Sequence, residues 1–381
     1  MLPRLVMTAC VALMCACTQR IVLEEPDAAP ARDAGADGGG SCGASASVDL
    51  LMVIDNSNSM LEEQASLAAQ LPVLVRDLVS PPDRDRDGVP DWDAVRDLHL
   101  GVVTTNMGAG GYDVPTCLEP VLGDDGRLRT EGNTSISGCA TTYPAFLTAR
   151  PGITDPDAIA ADFACVAQAG TAGCGLEQTL EAGLKALTPS TSPVRFFMDT
   201  VGHADGANAG FVRDDSLLVL LVMTDEDDCS AADPTLYDPA SPRYPEDFES
   251  RCAAHPAALQ PLGRYVDGVS ALRASQPDLL LFAAIAGVPV DLLEGPDSAS
   301  FDEILADPRM AQRVDVGTGR LVPSCTVAGR GEAYPPRRIV EMARELPGRS
   351  VVQSICQLDF GAAMARIVAQ VGRRACLRPG V

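Results

Sequence analysis

The residues Asp55-Asn56-Ser57-Asn58-Ser59 follow directly on the apolar run from Val48 to Ile54. Such a run reads as a buried strand, so one carboxylate and two hydroxyls arrive together on a tight polar turn. Alternate positions of an extended or turning segment point the same way, and D-x-S-x-S therefore aims three oxygens at one point. A hard divalent cation such as Mg²⁺ takes oxygen ligands in near-octahedral geometry, so cation binding is the chemistry this spacing suits. Asp and Ser are also favoured helix caps, but a cap needs only one of them. Far downstream a second apolar run, Ser216 to Thr224, ends in Asp225 and delivers another strand-end carboxylate.

The two matches, in this order, resemble the metal-ion-dependent adhesion site of the von Willebrand factor A family. The resemblance implies Mg²⁺ (or Mn²⁺) held by Asp55, Ser57, Ser59 and Asp225, with a vacant position filled by the acidic residue of a protein ligand. Where the family usually has Thr-Asp-Gly, this chain has Thr224-Asp225-Glu226-Asp227-Asp228, an acidic cluster whose last three residues are expected to face solvent. The family's third loop normally supplies a threonine from a Gly-Thr pair just before a helix. The corresponding segment here, Gly173-Cys174-Gly175-Leu176-Glu177-Gln178-Thr179, lacks that pair. Glu177, Gln178 or Thr179 is then the ligand, with Glu177 preferred. A carboxylate there would neutralise the ion more fully and weaken its pull on an acidic partner.

A separate run, Asp83-Arg84-Asp85-Arg86-Asp87-Gly88-Val89-Pro90-Asp91, has the alternating carboxylates and turn glycine of a calcium loop. It resembles the start of an EF-hand loop, although position twelve is Ala94 rather than a bidentate Glu. Asp83, Asp85, Asp87 and Asp91 are thus candidate Ca²⁺ ligands, with Asp93 able to complete a shorter site. The alternative is a solvated turn.

The elements that must position these residues alternate. Continuous apolar runs at Val48–Ile54, Leu98–Thr104, Leu217–Met223, Leu279–Ile285 and Ser350–Ile355 read as strands covered on both faces. Between them Leu61, Ala65, Ala68 and Leu71 recur at helical spacing, as do Leu176, Leu180, Leu184 and Leu187. Phe360, Met364, Ile367, Val368 and Val371 share one helical face behind Asp359, a candidate N-cap. The expected fold is α/β: a doubly wound, mostly parallel sheet flanked by helices, with disulfide-stapled loop insertions. Ligands of such sheets sit at the C-terminal ends of strands, where Asp55 and Asp225 fall. The excess length concentrates at about 107–160 and 230–261, read as insertions in one domain spanning 42–381.

Arg4, the apolar stretch Leu5 to Ala16 and Cys17 read as an export signal over 1–16, too short to cross a bilayer. Ala16 before Cys17, with Leu13 and Met14 upstream, resembles a bacterial lipoprotein box, so Cys17 is the expected lipidation site. Residues 17–41, rich in Ala, Asp, Gly and Pro, form the expected tether. Such a chain would sit in the periplasm, at the outer membrane or on the cell surface, touching membrane through its lipid only. Loss of Arg4 lowers the 29 basic residues by one against 52 acidic ones, moving the net charge from −23 to −24. That balance argues against nucleic acid as a partner.

Ten cysteines remain after Cys10, Cys15 and Cys17, an even number that argues for disulfides in an exported chain. Short spacings favour Cys165 with Cys174, Cys117 with Cys139 and Cys229 with Cys252; Cys325 with Cys356 and Cys42 with Cys376 complete the set. His99, His203 and His255 carry no nucleophile-elbow or paired signature, so a binding module is expected rather than an enzyme. The alternatives are a structural envelope protein whose ion only stabilises the fold and, behind it, a metal-dependent hydrolase.

Overall fold

The computed structural model describes residues 46–295 and 298–375. The expected signal, Cys17, the tether and the Cys42–Cys376 pair lie outside them. Element order is β1 (Ser47–Ile54), α1 (Leu61–Ala68), α2 (Leu71–Val79), β2 (Asp97–Thr104), β3 (Leu147–Ala149), α3 (Pro156–Ala167), α4 (Thr179–Leu187) and β4 (Leu217–Met223). There follow α5 (Arg251–Ala254), α6 (Gly263–Ala271), β5 (Leu280–Ala286), α7 (Phe301–Ala306), β6 (Cys325–Val327), β7 (Gly331–Ala333), α8 (Arg337–Arg344), β8 (Ser350–Ser354) and α9 (Gly361–Ala375).

Six strands form one sheet in the order β3-β2-β1-β4-β5-β8, parallel except for the short edge strand β3. Alternation across the pleat divides each central strand between two cores. Leu50, Met52 and Ile54 of β1 pack with Leu67, Leu74, Phe163, Phe360 and Met364, from α1, α2, α3 and the α9 side. Leu51 and Val53 face the opposite core with Leu184, Tyr265, Val269 and Ile339, from α4, α6 and α8. Helices thus cover both faces, and β2 and β4 take the two backbone edges of β1.

Two helical expectations shift. The pattern from Leu61 to Leu71 breaks after Ala68, and α2 restarts at Leu71 with Pro72 in its first turn, where a missing N–H costs nothing. The pattern from Leu176 starts as helix only at Thr179, because the preceding backbone is committed elsewhere: Gln178 N–H donates to Thr105 O at 3.1 Å and Glu177 O accepts from Cys229 N–H at 2.7 Å. Leu176 instead joins a third small core with Val114, Cys117, Cys174, Cys229 and Tyr237.

Among the described residues four disulfides link Cys117–Cys174, Cys139–Cys165, Cys229–Cys252 and Cys325–Cys356. The last two are the expected pairs, whereas Cys117–Cys139 and Cys165–Cys174 are corrected by an exchange of partners. Sequence spacing is a weak guide, since doubling a loop costs only about 0.6 kcal/mol of closure entropy. Packing decides: Asn133 N–H bonds Cys165 O at 2.9 Å and draws the Cys139 loop onto α3, while Cys117 and Cys174 share the third core. Disulfides of this number suit an oxidising, extracellular or periplasmic setting. Among the described residues no helix is long and apolar enough to cross a membrane.

Candidate metal centre

Register brings the site together. Ile54 pairs with Thr104 on one side and Met223 on the other, so Asp55, Thr105 and Thr224 emerge side by side at the sheet's C-terminal rim. Asp55 N–H bonds Met223 O at 2.9 Å and Thr105 N–H bonds Ile54 O at 3.1 Å. The Asp55 carboxylate is fully buried; Oδ1 accepts from Ser57 N–H at 2.8 Å and Oδ2 from the Thr224 hydroxyl at 2.6 Å. Ser57 and Ser59 hydroxyls lie 3.2 Å apart, placing the alternate oxygens of the turn together as the spacing requires.

The loop before α4 is laced to this turn. Gln64 of α1 donates to Asp55 O at 2.7 Å and Gly170 O at 2.9 Å, and its own oxygen accepts from Gly170 N–H. Gly173 N–H bonds Asn56 O at 2.9 Å, an approach so close that a Cβ on Gly173 would run into the Asn56 side chain. The Gln178 side-chain amide N–H donates to Gly108 O at 2.8 Å, which leaves its oxygen free. Glu177, Gln178 and Thr179 are all buried.

Hydrogen-bond accounting marks the spot. Among the described residues eight buried side-chain oxygens lack a partner, and six belong to this rim: Asn56 Oδ1, Glu63 Oε2, Thr105 Oγ1, Glu177 Oε1, Thr179 Oγ1 and Asp225 Oδ1. Each such group would cost about 1–3 kcal/mol if it stayed unsatisfied, so the concentration calls for a ligand. All six are oxygens, the donor set a hard cation prefers, and no nitrogen or sulfur competes. The residues therefore fit a Mg²⁺-type ion.

Electrostatics agree. Burial pushes the Asp225 carboxyl well above the usual carboxylate range, and the neighbouring charge of Asp55 adds to it. Burial likewise raises Glu177 far, helped by the charge of Glu226, and raises Asp55 against the opposing hydrogen bonds of Thr224 and Ser57. Glu226 is pushed up to about 7, again chiefly by burial. Among the described residues no Lys or Arg ion pair answers Asp55, Glu63, Glu177, Asp225 or Glu226. Asp55, Asp225 and Glu177 do not bring three carboxylate oxygens within 4.8 Å of one another, a spacing reached among the described residues by Asp83, Asp85 and Asp87. One ion could thus touch at most two of the three directly. Asp225 feels Asp55 as its main neighbouring charge and Glu177 feels Glu226.

Not all of the acidic cluster faces solvent. Asp228 is 1% exposed, bonded to Leu180 N–H at 2.8 Å, Ser230 Oγ at 2.7 Å and the Arg338 guanidinium at 3.1 Å. Asp227 is half-buried and accepts from Arg338 N–H at 3.0 Å; Glu226 is half-buried too. The expectation is corrected because α8, more than a hundred residues away, supplies an arginine that makes burying Asp228 affordable. Thr105 and Glu63 were not foreseen as part of the rim. Thr105 was legible from register alone, since it is to β2 what Asp55 is to β1.

In the 83–91 loop, Asp83 Oδ1 and Oδ2 accept from Asp87 and Gly88 N–H at 3.1 and 2.9 Å, and Asp91 pairs with Arg84 at 2.8 Å. Backbone donors and arginine already occupy these carboxylates, and Asp85 and Asp87 are exposed.

Above the rim opens a cleft of about 980 Å³ whose lining includes Ser57, Ser59, Glu177, Asp225, Glu226 and Tyr334. No known family model and no curated protein matches the chain. Among solved structures it is similar to proximal thread matrix protein 1 of the mussel byssus, at 10% identity and a TM-score of 0.30. The likeness covers 88% of this chain and 49% of that one, so the chain spans about half the length of its neighbour; at that TM-score it carries no argument.

Proposed function

We propose that the chain is a metal-dependent protein-binding module of the cell envelope, exported and lipid-anchored at Cys17, built on a doubly wound sheet of the von Willebrand factor A kind. Asp55, Asp225 and the Ser57 and Ser59 hydroxyls hold one Mg²⁺ or Mn²⁺, and Glu177 acts through water. The bound ion supplies a Lewis-acidic point to which an oxygen of a partner protein can be fastened. The observation that carries this reading is the crowding of six buried oxygens without a hydrogen-bond partner on one rim, none of them in an ion pair among the described residues.

Binding fits better than turnover. His99 Nδ1 lies 2.9 Å from Phe211 O, His203 Nε2 2.9 Å from Asp125 and His255 Nε2 2.6 Å from Glu246, which ties each imidazole into a local contact. A purely stabilising ion fits less well, because Ser59 is exposed and the inner residues open into the cleft. Titration calorimetry with Mg²⁺ tests the reading: wild type should give saturable one-site heat that Asp55→Ala abolishes. Equal heats in the two proteins would end it.

A further inference from the structure

The cleft over the candidate ion is more acidic than a site built to receive a carboxylate. Asp225 and Glu177 line it, each with a buried, unpaired oxygen, and Glu226, Glu246, Asp247, Glu249 and Glu332 line it as well. Two cations share the lining, and both are engaged. Arg251 is buried and donates to the carbonyls of Leu236, Asp238 and Glu246. Arg320 pairs with Glu249 at 3.0 Å. A divalent ion balances the charge of Asp55 and Asp225 only; Arg320 answers Glu249 and His255 lies against Glu246, whereas Glu177, Glu226, Asp247 and Glu332 have no ion pair among the described residues, so the wall stays net acidic. An entering carboxylate would meet that field head on, whereas a neutral oxygen flanked by cations would be drawn in. Pro239, Pro245 and Phe248 add an apolar wall suited to the aliphatic stem of a long basic side chain.

Resting on the metal-centre reading above, we propose that the partner is a protein segment with lysine or arginine on both sides of a hydroxyl or carbonyl oxygen. The oxygen completes the ion's coordination, and the cations pair with Glu226 and Glu332 and share Glu249 with Arg320. This differs from the acidic ligand that the family resemblance implies, and the difference comes from this chain's own walls.

Fluorescence anisotropy on the Mg²⁺-loaded full chain tests it with two labelled peptides of equal length, Gly-Lys-Gly-Ser-Gly-Lys-Gly and Gly-Ser-Gly-Asp-Gly-Ser-Gly. The lysine peptide should bind about tenfold more tightly, as charge complementarity of this kind supplies. Raising salt from about 0.05 to about 0.5 M should shrink that advantage, because exposed charges are screened. The double variant Glu249→Lys with Glu332→Lys, at two exposed positions, should reverse the preference. An acidic peptide bound equally or better by wild type, or no binding of either, overturns the proposal. Chelator separates the two readings: a lysine preference that survives it unchanged keeps the charge selection and removes the ion, whereas Mg²⁺ heat with an acidic preference does the reverse.

Discussion

Replacing Asp225 by Asn should stabilise the protein in chelator and destabilise it, relative to wild type, in Mg²⁺. The Asp225 side chain is 4% exposed, its Oδ1 has no partner, and the charge of Asp55 stands beside it. An amide of the same shape removes a buried like charge, a relief of about 1–3 kcal/mol on the scale of unsatisfied buried polar groups. The described part has roughly 330 residues, and at about 2.1 cal/mol/K each its unfolding entropy near the midpoint is about 0.7 kcal/mol/K. The apo variant should therefore melt about 1.5–4 °C higher. Mg²⁺ at about a hundred times its Kd adds about 2.7 kcal/mol to wild type, or about 4 °C, and much less to the variant, which has lost an inner ligand. Differential scanning calorimetry in EDTA and in MgCl₂ reads all four midpoints. An apo variant less stable than apo wild type, or an equal Mg²⁺ shift in both, refutes the reasoning, since a carboxylate with a merely structural role would produce one or the other.

Stability in chelator should fall as pH rises from about 4 to about 7. Glu226 and Asp227, raised by burial from 4.5 and 3.8 to about 7, bind more protons folded than unfolded, so their contribution is complete below the unfolded values and is lost through the folded ones; melting points from pH 4 to 8 check this, and a rise over that window contradicts it. Gly173→Ala should lower Mg²⁺ affinity about tenfold with the fold intact by circular dichroism, because the added methyl displaces Asn56 beside Asp55 and misplaces the laced loop; unchanged calorimetric affinity would count against the lacing. Replacing Cys117 and Cys174 by Ser should weaken Mg²⁺ binding, whereas the same change at Cys139 and Cys165 should cost about 2–4 kcal/mol of stability and leave affinity alone. Equal losses of affinity from the two pairs would show that the staple beside Glu177 has no special bearing on the site.

Parallel strands buried on both faces leave an unusually plain trace, and that is why β4 spans Leu217–Met223 as its apolar run predicts and β1, β2, β5 and β8 fall within a residue or so of theirs. Because Asp55 and Asp225 come directly after two of those runs, their shared rim was legible too. Features set by partners distant in sequence were not. The helical repeat of Leu176 dissolves because Thr105 and Cys229 claim the backbone beside it, and Asp228 turns inward because Arg338 meets it there. With three residues, β3 is too short to show any period, and the exchange of disulfide partners follows from packing that spacing does not encode.

The two ends of β1 treat a buried carboxylate in opposite ways. Asp49, near the N-terminal end and fully buried, accepts from Arg213 N–H at 2.7 Å and from Arg213 Nε at 2.8 Å, is bonded by the Ser216 hydroxyl, and has the His99 ring 3.4 Å away. Arg273 reinforces the same knot through Ser216. A charge so enclosed is neutralised by the protein itself, and breaking it by removing Arg213 would leave an uncompensated buried carboxylate at about 3–5 kcal/mol. Six residues on, Asp55 is just as buried, yet hydroxyls and a backbone N–H are its partners, and the nearest charges, Asp225 and Glu177, have its own sign. The chain can plainly place an arginine against a carboxylate at the sheet's end, since it does so for Asp49 and again for Asp228. That no arginine or lysine among the described residues pairs with Asp55, Asp225 or Glu177 is then a property of that rim, and it is what the proposed ion from solution would answer.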